Sequence, residues 1–290
     1  MYFRSLMDRS QMRYNFLLLL AVGYMMLGGT PAGDSFTAKK LTKDYVFIPT
    51  DYIGNSAGQE YYISSIEVTN KQYRDFLKDL EDSGATDKLR LAMVDSSRWT
   101  SLGLSNKPFT DFYFRHPAYD DYPVVNISKR GAELYCEWLT EKYNKTSKQK
   151  ARFALPTEAQ WVYAAQGGNP KAIYPWVGNS LTYEKKGKLY GTRMCNYLSD
   201  KSSATDTMSK QINSTVDITA PSRSFLPNTF EIYNMGGNVA EMIADQNYTK
   251  GGSYLSPADN LLITAHEDAD LSHGWPNIGY RPVMIFEKTP

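Results

Sequence analysis

The chain has 290 residues, a formal net charge of +1, 42% hydrophobic and 22% charged residues. That composition excludes wholesale disorder and a membrane-embedded body, and its charge balance gives no field that calls for nucleic acid as a partner. Aromatics make up 13%, led by 22 Tyr. They fit either an irregular fold stitched by ring packing and phenol hydrogen bonds or a sticky extracellular surface.

At the N-terminus, Arg9 and Arg13 precede an apolar stretch from Phe16 to Leu27, followed by the small residues Gly28, Gly29, Thr30 and Ala32. These are the three parts of a secretory signal; the alternative is a retained membrane anchor, for which the apolar run is shorter than the ~20 residues a spanning helix needs. Leu27-Gly28-Gly29-Thr30 resembles a lipoprotein signal with Thr30 in place of the acylated cysteine, which rules out lipidation there. Residues 1–33 therefore read as a signal peptide, 34–43 as a polar N-terminal segment and 44–290 as one α+β domain. The protein is expected to be exported, to the periplasm, the outer membrane or the outside.

Asp44 to Pro49 predicts a strand, and Tyr61 to Val68 a second one feeding directly into a helix. Thr69 or Asn70 caps that helix, and Tyr73, Phe76, Leu77 and Leu80 recur along it at helical spacing. From Glu81 to Asp121 no period holds, yet Trp99, Phe109, Phe112, Tyr113, Phe114 and Tyr119 are too aromatic for a linker. An ordered, irregular insertion is expected. After a short extended run from Pro123, Ser128 caps a helix with the apolar stripe Ala132, Tyr135, Cys136, Leu139 and Tyr143. Arg152 to Leu155 leads into Thr157, which has capping-box spacing with Gln160, and the helix ends at Gly167-Gly168. Turns and short strands dominate from there to Gly236. Cys136 and Cys195 are the two cysteines, and they are expected to stay unpaired, Cys136 as a buried, unreactive thiol.

Eight segments, in order, resemble the formylglycine-generating (sulfatase-modifying factor) enzyme family. They begin with Glu67-Val68-Thr69-Asn70-Lys71-Gln72-Tyr73-Arg74-Asp75-Phe76, then Pro123-Val124-Val125 with Ala132, Tyr135-Cys136 and Trp138. Leu155-Pro156-Thr157-Glu158-Ala159-Gln160-Trp161 with Tyr163-Ala164-Ala165 and Gly167-Gly168 follows. Next come Tyr174-Pro175-Trp176-Val177-Gly178, Thr219-Ala220-Pro221 and Tyr233-Asn234-Met235-Gly236-Gly237-Asn238-Val239-Ala240-Glu241. Gly251-Gly252-Ser253-Tyr254 and Gly279-Tyr280-Arg281 close the series. The resemblance implies a mixed, C-type lectin-like fold low in regular secondary structure. It also implies a choice of roles, among them cysteine-to-formylglycine oxidases, iron-dependent sulfoxide synthases, ligand-binding proteins and non-catalytic lipoproteins of Bacteroidota gliding and type IX secretion. His116 to Val125 and Gly237 to Glu241 look most like the last group.

The oxidases hold monovalent copper between two cysteines that follow the Gly-Gly-Ser-aromatic turn, because soft sulfur suits that ion. The matching positions here are Ser256 and Leu261, so copper is not expected, and arginines usual beyond them fall on Ala265 and Ala269. Iron is not expected either, since His116, His266 and His273 match no iron-ligand spacing. Ser256 with His266 as its base is a weak hydrolase alternative. The resemblance implies a structural calcium at Asn234, Gly237, Val239 and Glu241, which suits an ion that takes hard oxygens; alternatively Asn234 and Glu241 only cap the turn. A second calcium site would use Asn196 and Tyr197 with Ser214 or Asp217. The expected role is non-catalytic binding of a protein or glycan of the cell envelope, with the loops that include Trp99 to Tyr119 presented to it. The competing expectation is an oxidoreductase with a relocated site.

Overall fold

The computed structural model describes residues 38–49, 60–103, 107–198 and 218–287. The predicted signal peptide, Ser214 and Asp217 lie outside them.

Within the predicted N-terminal segment, Ala38–Leu41 forms one helical turn, α1, and lays Ala38 and Leu41 on the main core. The strands are β1 (Tyr45–Ile48), β2 (Tyr61–Ser64), β3 (Ala151–Ala154), β4 (Ala240–Met242), β5 (Tyr248–Lys250), β6 (Glu267–Asp268), β7 (Ile278–Gly279) and β8 (Val283–Phe286). None exceeds four residues. They make two sheets, ordered β1-β2-β8-β3 and β6-β5-β4-β7, with every pair antiparallel except β4 and β7.

The predicted second strand stops early, at Ser64. Ser64 Oγ bonds the Ile66 carbonyl, and the Val68 amide leaves the sheet to reach the Tyr280 carbonyl at 3.0 Å. That bend turns Glu67 inward. Helix α2 (Asn70–Asp82) starts where its capping box dictates, with Thr69 as the cap and Gln72 reaching back. Tyr73, Phe76 and Leu80 are its buried face.

The stretch from Glu81 to Asp121 is ordered, as expected, but it is helical in short pieces. It contains α3 (Thr86–Ala92), α4 (Lys107–Phe112) and 3₁₀ turns at Ser96–Leu102 and Pro117–Tyr119. Pieces of one or two turns carry too few residues to show a period. Packing holds them instead: Trp99 meets Tyr113 at 4.8 Å between ring centres, and Tyr113 meets Tyr119 at 5.3 Å.

Helix α5 (Lys129–Thr146) follows the Ser128 cap and buries Ala132, Tyr135, Cys136, Leu139 and Tyr143, the predicted stripe, together with Leu134 and Trp138. Its polar flank is tied to β3, where Asn144 both donates to and accepts from the Ala151 backbone at 3.0 Å. Helix α6 (Glu158–Gln166) has the predicted Thr157–Gln160 box and ends at left-handed Gly167. Trp161 on α6 is fully buried, and it stands behind the site described next.

Candidate functional site

The turn between Tyr233 and β4 is built from left-handed residues, with Asn234 at φ 52°, Gly237 at 76° and Asn238 at 64°. A side chain at Gly237 would put its Cβ 2.4 Å from the Asn196 carbonyl, so backbone packs on backbone there and only glycine fits. The curl is stitched to two other segments. The Gly237 amide donates to Gly251, and the Asn238 amide donates to Asn196 at 2.7 Å.

Three charged side chains lie under this turn out of solvent: Glu67, Glu241 and Arg281. Glu241 accepts from Arg281 Nε at 2.8 and 2.9 Å, from Arg281 Nη2 at 2.7 Å and from Trp161 Nε1 at 2.9 Å. Arg281 also donates to the carbonyls of Ser64 and Tyr233. Glu67 accepts instead from the side-chain amides of Asn234, at 3.2 Å, and Asn238, at 2.9 Å. Burial lifts its carboxyl to about 7 despite the pull of the Arg281 charge.

The predicted calcium donors are thus in different situations. Asn234 Oδ1 is a buried acceptor with no hydrogen-bond partner among the described residues, and it fits a cation. The Glu241 carboxylate is already engaged by Arg281 and Trp161. The capping alternative is also incomplete, because Glu241 bonds side chains and not its own turn. At the second predicted calcium site, Asn196 Nδ2 donates to the Ile218 carbonyl at 3.0 Å.

At the predicted copper positions the chemistry is closed. Ser256 Oγ accepts from the Ser253 amide at 2.8 Å and donates to Glu267 Oε2 at 2.8 Å, while Asn260 holds the other carboxylate oxygen at 2.7 Å. Leu261 is fully buried in an apolar cluster with Trp176, Met194 and Cys195. His266 is no base for Ser256, since the hydroxyl proton goes to Glu267 and the imidazole lies on the Tyr248 ring, 4.4 Å between centres. Cys136 and Cys195 are free and buried, and burial pushes both thiols far above their ordinary pKa. Among the described residues, no group of three His, Cys, Asp or Glu side chains is placed to hold a metal.

A charged cluster unmarked by any sequence motif lies beside the turn. Lys250, its side chain 1% exposed, reaches Glu158 Oε1 at 3.4 Å and sits 5.7 Å from the centre of Trp161. Tyr248 donates to Glu158 at 2.6 Å, which pushes its phenol up to about 12. No local pattern marks it, since Lys250 ends the short run Tyr248-Thr249-Lys250 between Asn247 and Gly251. In the insertion from Trp99 to Tyr119, expected to be presented to a partner, Trp99 and Tyr113 are buried, Phe109 and Tyr119 pack against them, and Phe112 is exposed. A surface groove of about 400 Å³ lies elsewhere, lined by Asp79, Trp138, Lys142 and neighbouring charges. It contains none of the predicted site residues.

Residues 27–285 match the model of the sulfatase-modifying factor enzyme 1-like domain. The chain belongs to that family. It is 35% identical over 49% of its length to a formylglycine-generating enzyme of Thermomonospora curvata, and the match spans only 39% of that relative. It is 25% identical to the inactive Cα-formylglycine-generating enzyme 2 of Bos taurus, over 69% of this chain and 67% of that one. The family thus includes inactive members as well as enzymes. Among solved structures, CarF matches with a TM-score of 0.54 and 19% identity over 83% of this chain and 95% of its own, which shows the formylglycine-generating-enzyme-like fold.

Proposed function

We propose that this sulfatase-modifying-factor-like chain is a non-catalytic, exported protein. In this reading it is a structural or binding component of the cell envelope, its partner is an envelope protein or glycan, and calcium is its structural ion. One observation carries the first part: at the two copper positions stand a hydroxyl fixed to Glu267 and an isobutyl group in an apolar cluster. Neither supplies the soft ligand the oxidation needs. The buried, neutral thiols of Cys136 and Cys195 offer no replacement. The predicted secretory signal supports export, and the likeness of His116 to Val125 to gliding and type IX secretion lipoproteins supports an envelope role there. Asn234 Oδ1, buried without a partner among the described residues, supports the ion, with Asn234, Gly237, Val239 and Glu241 as the predicted holders.

The test incubates the purified protein with copper, oxygen and a sulfatase-type Cys-x-Pro-x-Arg peptide, and looks for aldehyde by mass spectrometry. No product above a metal-only control is expected. Turnover would return the chain to the oxidoreductase reading.

A further inference from the structure

Glu67, Glu241 and Arg281 lie together out of solvent, so two carboxylates share one guanidinium. The direct ion pair goes to Glu241 alone, at 2.7 Å. Glu67 has zero exposure and no Lys, Arg or His nitrogen within ion-pair distance among the described residues; its partners are two neutral amides. A buried carboxylate without an ion pair of its own is costly, and such groups are paired, neutralised or bound to a metal.

Two oxygens beside it are also short of partners. Asn234 Nδ2 donates both to Glu67 Oε2 and to the Ser222 carbonyl, each at 3.2 Å, which brings the three residues together. Asn234 Oδ1 and Ser222 Oγ are both buried and accept or donate no hydrogen bond among the described residues. Asn234 and Ser222 are 6% and 1% exposed. A buried polar atom without a partner costs about as much as a lost hydrogen bond, and these two belong to residues that Asn234 Nδ2 ties to the Glu67 carboxylate, so one explanation serves all three.

We infer that Glu67, Asn234 Oδ1 and Ser222 Oγ are ligands of a hard cation, and that Glu67 supplies the anionic ligand in place of Glu241. This rests on the calcium reading above and changes its ligand set. The donors are a carboxylate, an amide oxygen and a hydroxyl, all hard, and carbonyls and water complete the six to eight positions that calcium takes. Glu241 is left to Arg281 and Trp161, where its oxygens are already satisfied. With a single carboxylate, affinity falls in the weak class of extracellular sites, a Kd of roughly 10⁻⁴ to 10⁻³ M.

The experiment measures cation-dependent melting and calcium affinity by calorimetry for the wild-type protein, Glu67→Gln and Ser222→Ala. Calcium is compared with sodium chloride and choline chloride at equal ionic strength, so that a divalent and a monovalent occupant are told apart. The expected result is a cation-specific rise in melting temperature for wild type, abolished in Glu67→Gln and weakened about tenfold in affinity in Ser222→Ala. Ser222→Ala removes only an oxygen that has no hydrogen bond among the described residues, so it decides the matter where Glu67→Gln does not fold. Equal cation responses in wild type and both variants would overturn the assignment of Glu67 and leave the calcium reading standing. No cation-specific response in wild type sinks both.

Discussion

Arg281 closes on Glu241 at 2.7 Å with both side chains shut off from solvent, and it reaches Ser64 and Tyr233 as well. One guanidinium thus pins the end of β2, the 233–239 turn and β4. Breaking a buried pair from one side strands the other charge, at a cost of about 3 to 5 kcal/mol. Arg281→Met is expected to lose that much in urea unfolding. The double variant Arg281→Met with Glu241→Gln is expected to lose less than the sum of the two single variants. Additive losses would show that the pair does not act as a unit.

Lys250 is as buried as Arg281 but differs in its partner. Glu158 is about a third exposed and keeps its hydrogen bond from Tyr248, so water can serve it when the ammonium is gone. Replacing a desolvated ammonium by an apolar chain of similar length is often neutral. Lys250→Met is therefore expected to change stability by less than about 1 kcal/mol. A loss comparable with that of Arg281→Met would mean that the contacts of Lys250 with Trp161 and Glu158 hold the turn.

How far the sequence was readable follows from where each signal lies. Thr157 with Gln160 is a local pair three residues apart, so that helix start is readable from spacing, and the same spacing of Thr69 and Gln72 decides the cap that the sequence reading leaves between Thr69 and Asn70. The turns around Gly237 and Gly251 came through the family resemblance. The short helices between Glu81 and Asp121 were missed because tertiary ring packing, not a local period, holds them. Glu67 was missed as a site residue for another reason. A carboxylate between Ile66 and Val68 reads as the wet face of a strand, and only the bend at Ser64, fixed by partners far along the chain, turns it inward.

Asp79 gives the acid behaviour a local handle. Burial alone would raise its carboxyl, but hydrogen bonds from Lys142 at 2.6 Å and Trp138 Nε1 at 2.7 Å outweigh that and hold it below the usual range. A depressed carboxyl contributes stability that is present above its unfolded value of roughly 3.9 and is lost as pH falls through the folded value. The side chain is about a third exposed, so the contribution is discounted to below about 1 kcal/mol. Asp79→Asn is expected to flatten the acid limb of stability below roughly pH 4 and to lower stability slightly at neutral pH. Urea midpoints across that range check it; an unchanged acid limb in the variant would rule Asp79 out as its source.

The free thiols should be silent in the native protein. Cys136 faces the core from α5, and Cys195 is packed beneath Gly237, whose missing Cβ leaves it room. Reaction with a thiol reagent needs an exposed thiolate, and burial denies both the exposure and the charge. Neither is expected to react until the protein unfolds, when both titrate. Fast reaction of either in native buffer would reopen the question of a relocated thiol site.

Restoring the family's cysteine pair asks whether the lost chemistry is two residues away. In Ser256→Cys with Leu261→Cys, the first thiol replaces a hydroxyl that accepts from the Ser253 amide and donates to Glu267, so it arrives beside a carboxylate. A neighbouring negative charge raises a thiol's pKa and opposes the thiolate that copper needs. The second thiol replaces a fully buried leucine among Trp176, Met194 and Cys195, and the smaller side chain leaves part of the cavity that costs about 2 to 5 kcal/mol when leucine is cut back to alanine. Ala265 and Ala269 supply none of the positive charge that the family resemblance would place around the pair. The double variant is therefore expected to melt lower than wild type, to bind monovalent copper weakly, and to convert the Cys-x-Pro-x-Arg peptide no faster than copper alone. Titration with a competing copper chelator and mass spectrometry of the peptide read the two outcomes. Efficient aldehyde formation by the double variant would show that Glu267 and the two alanines are no obstacle, and that the site lacks only its sulfur.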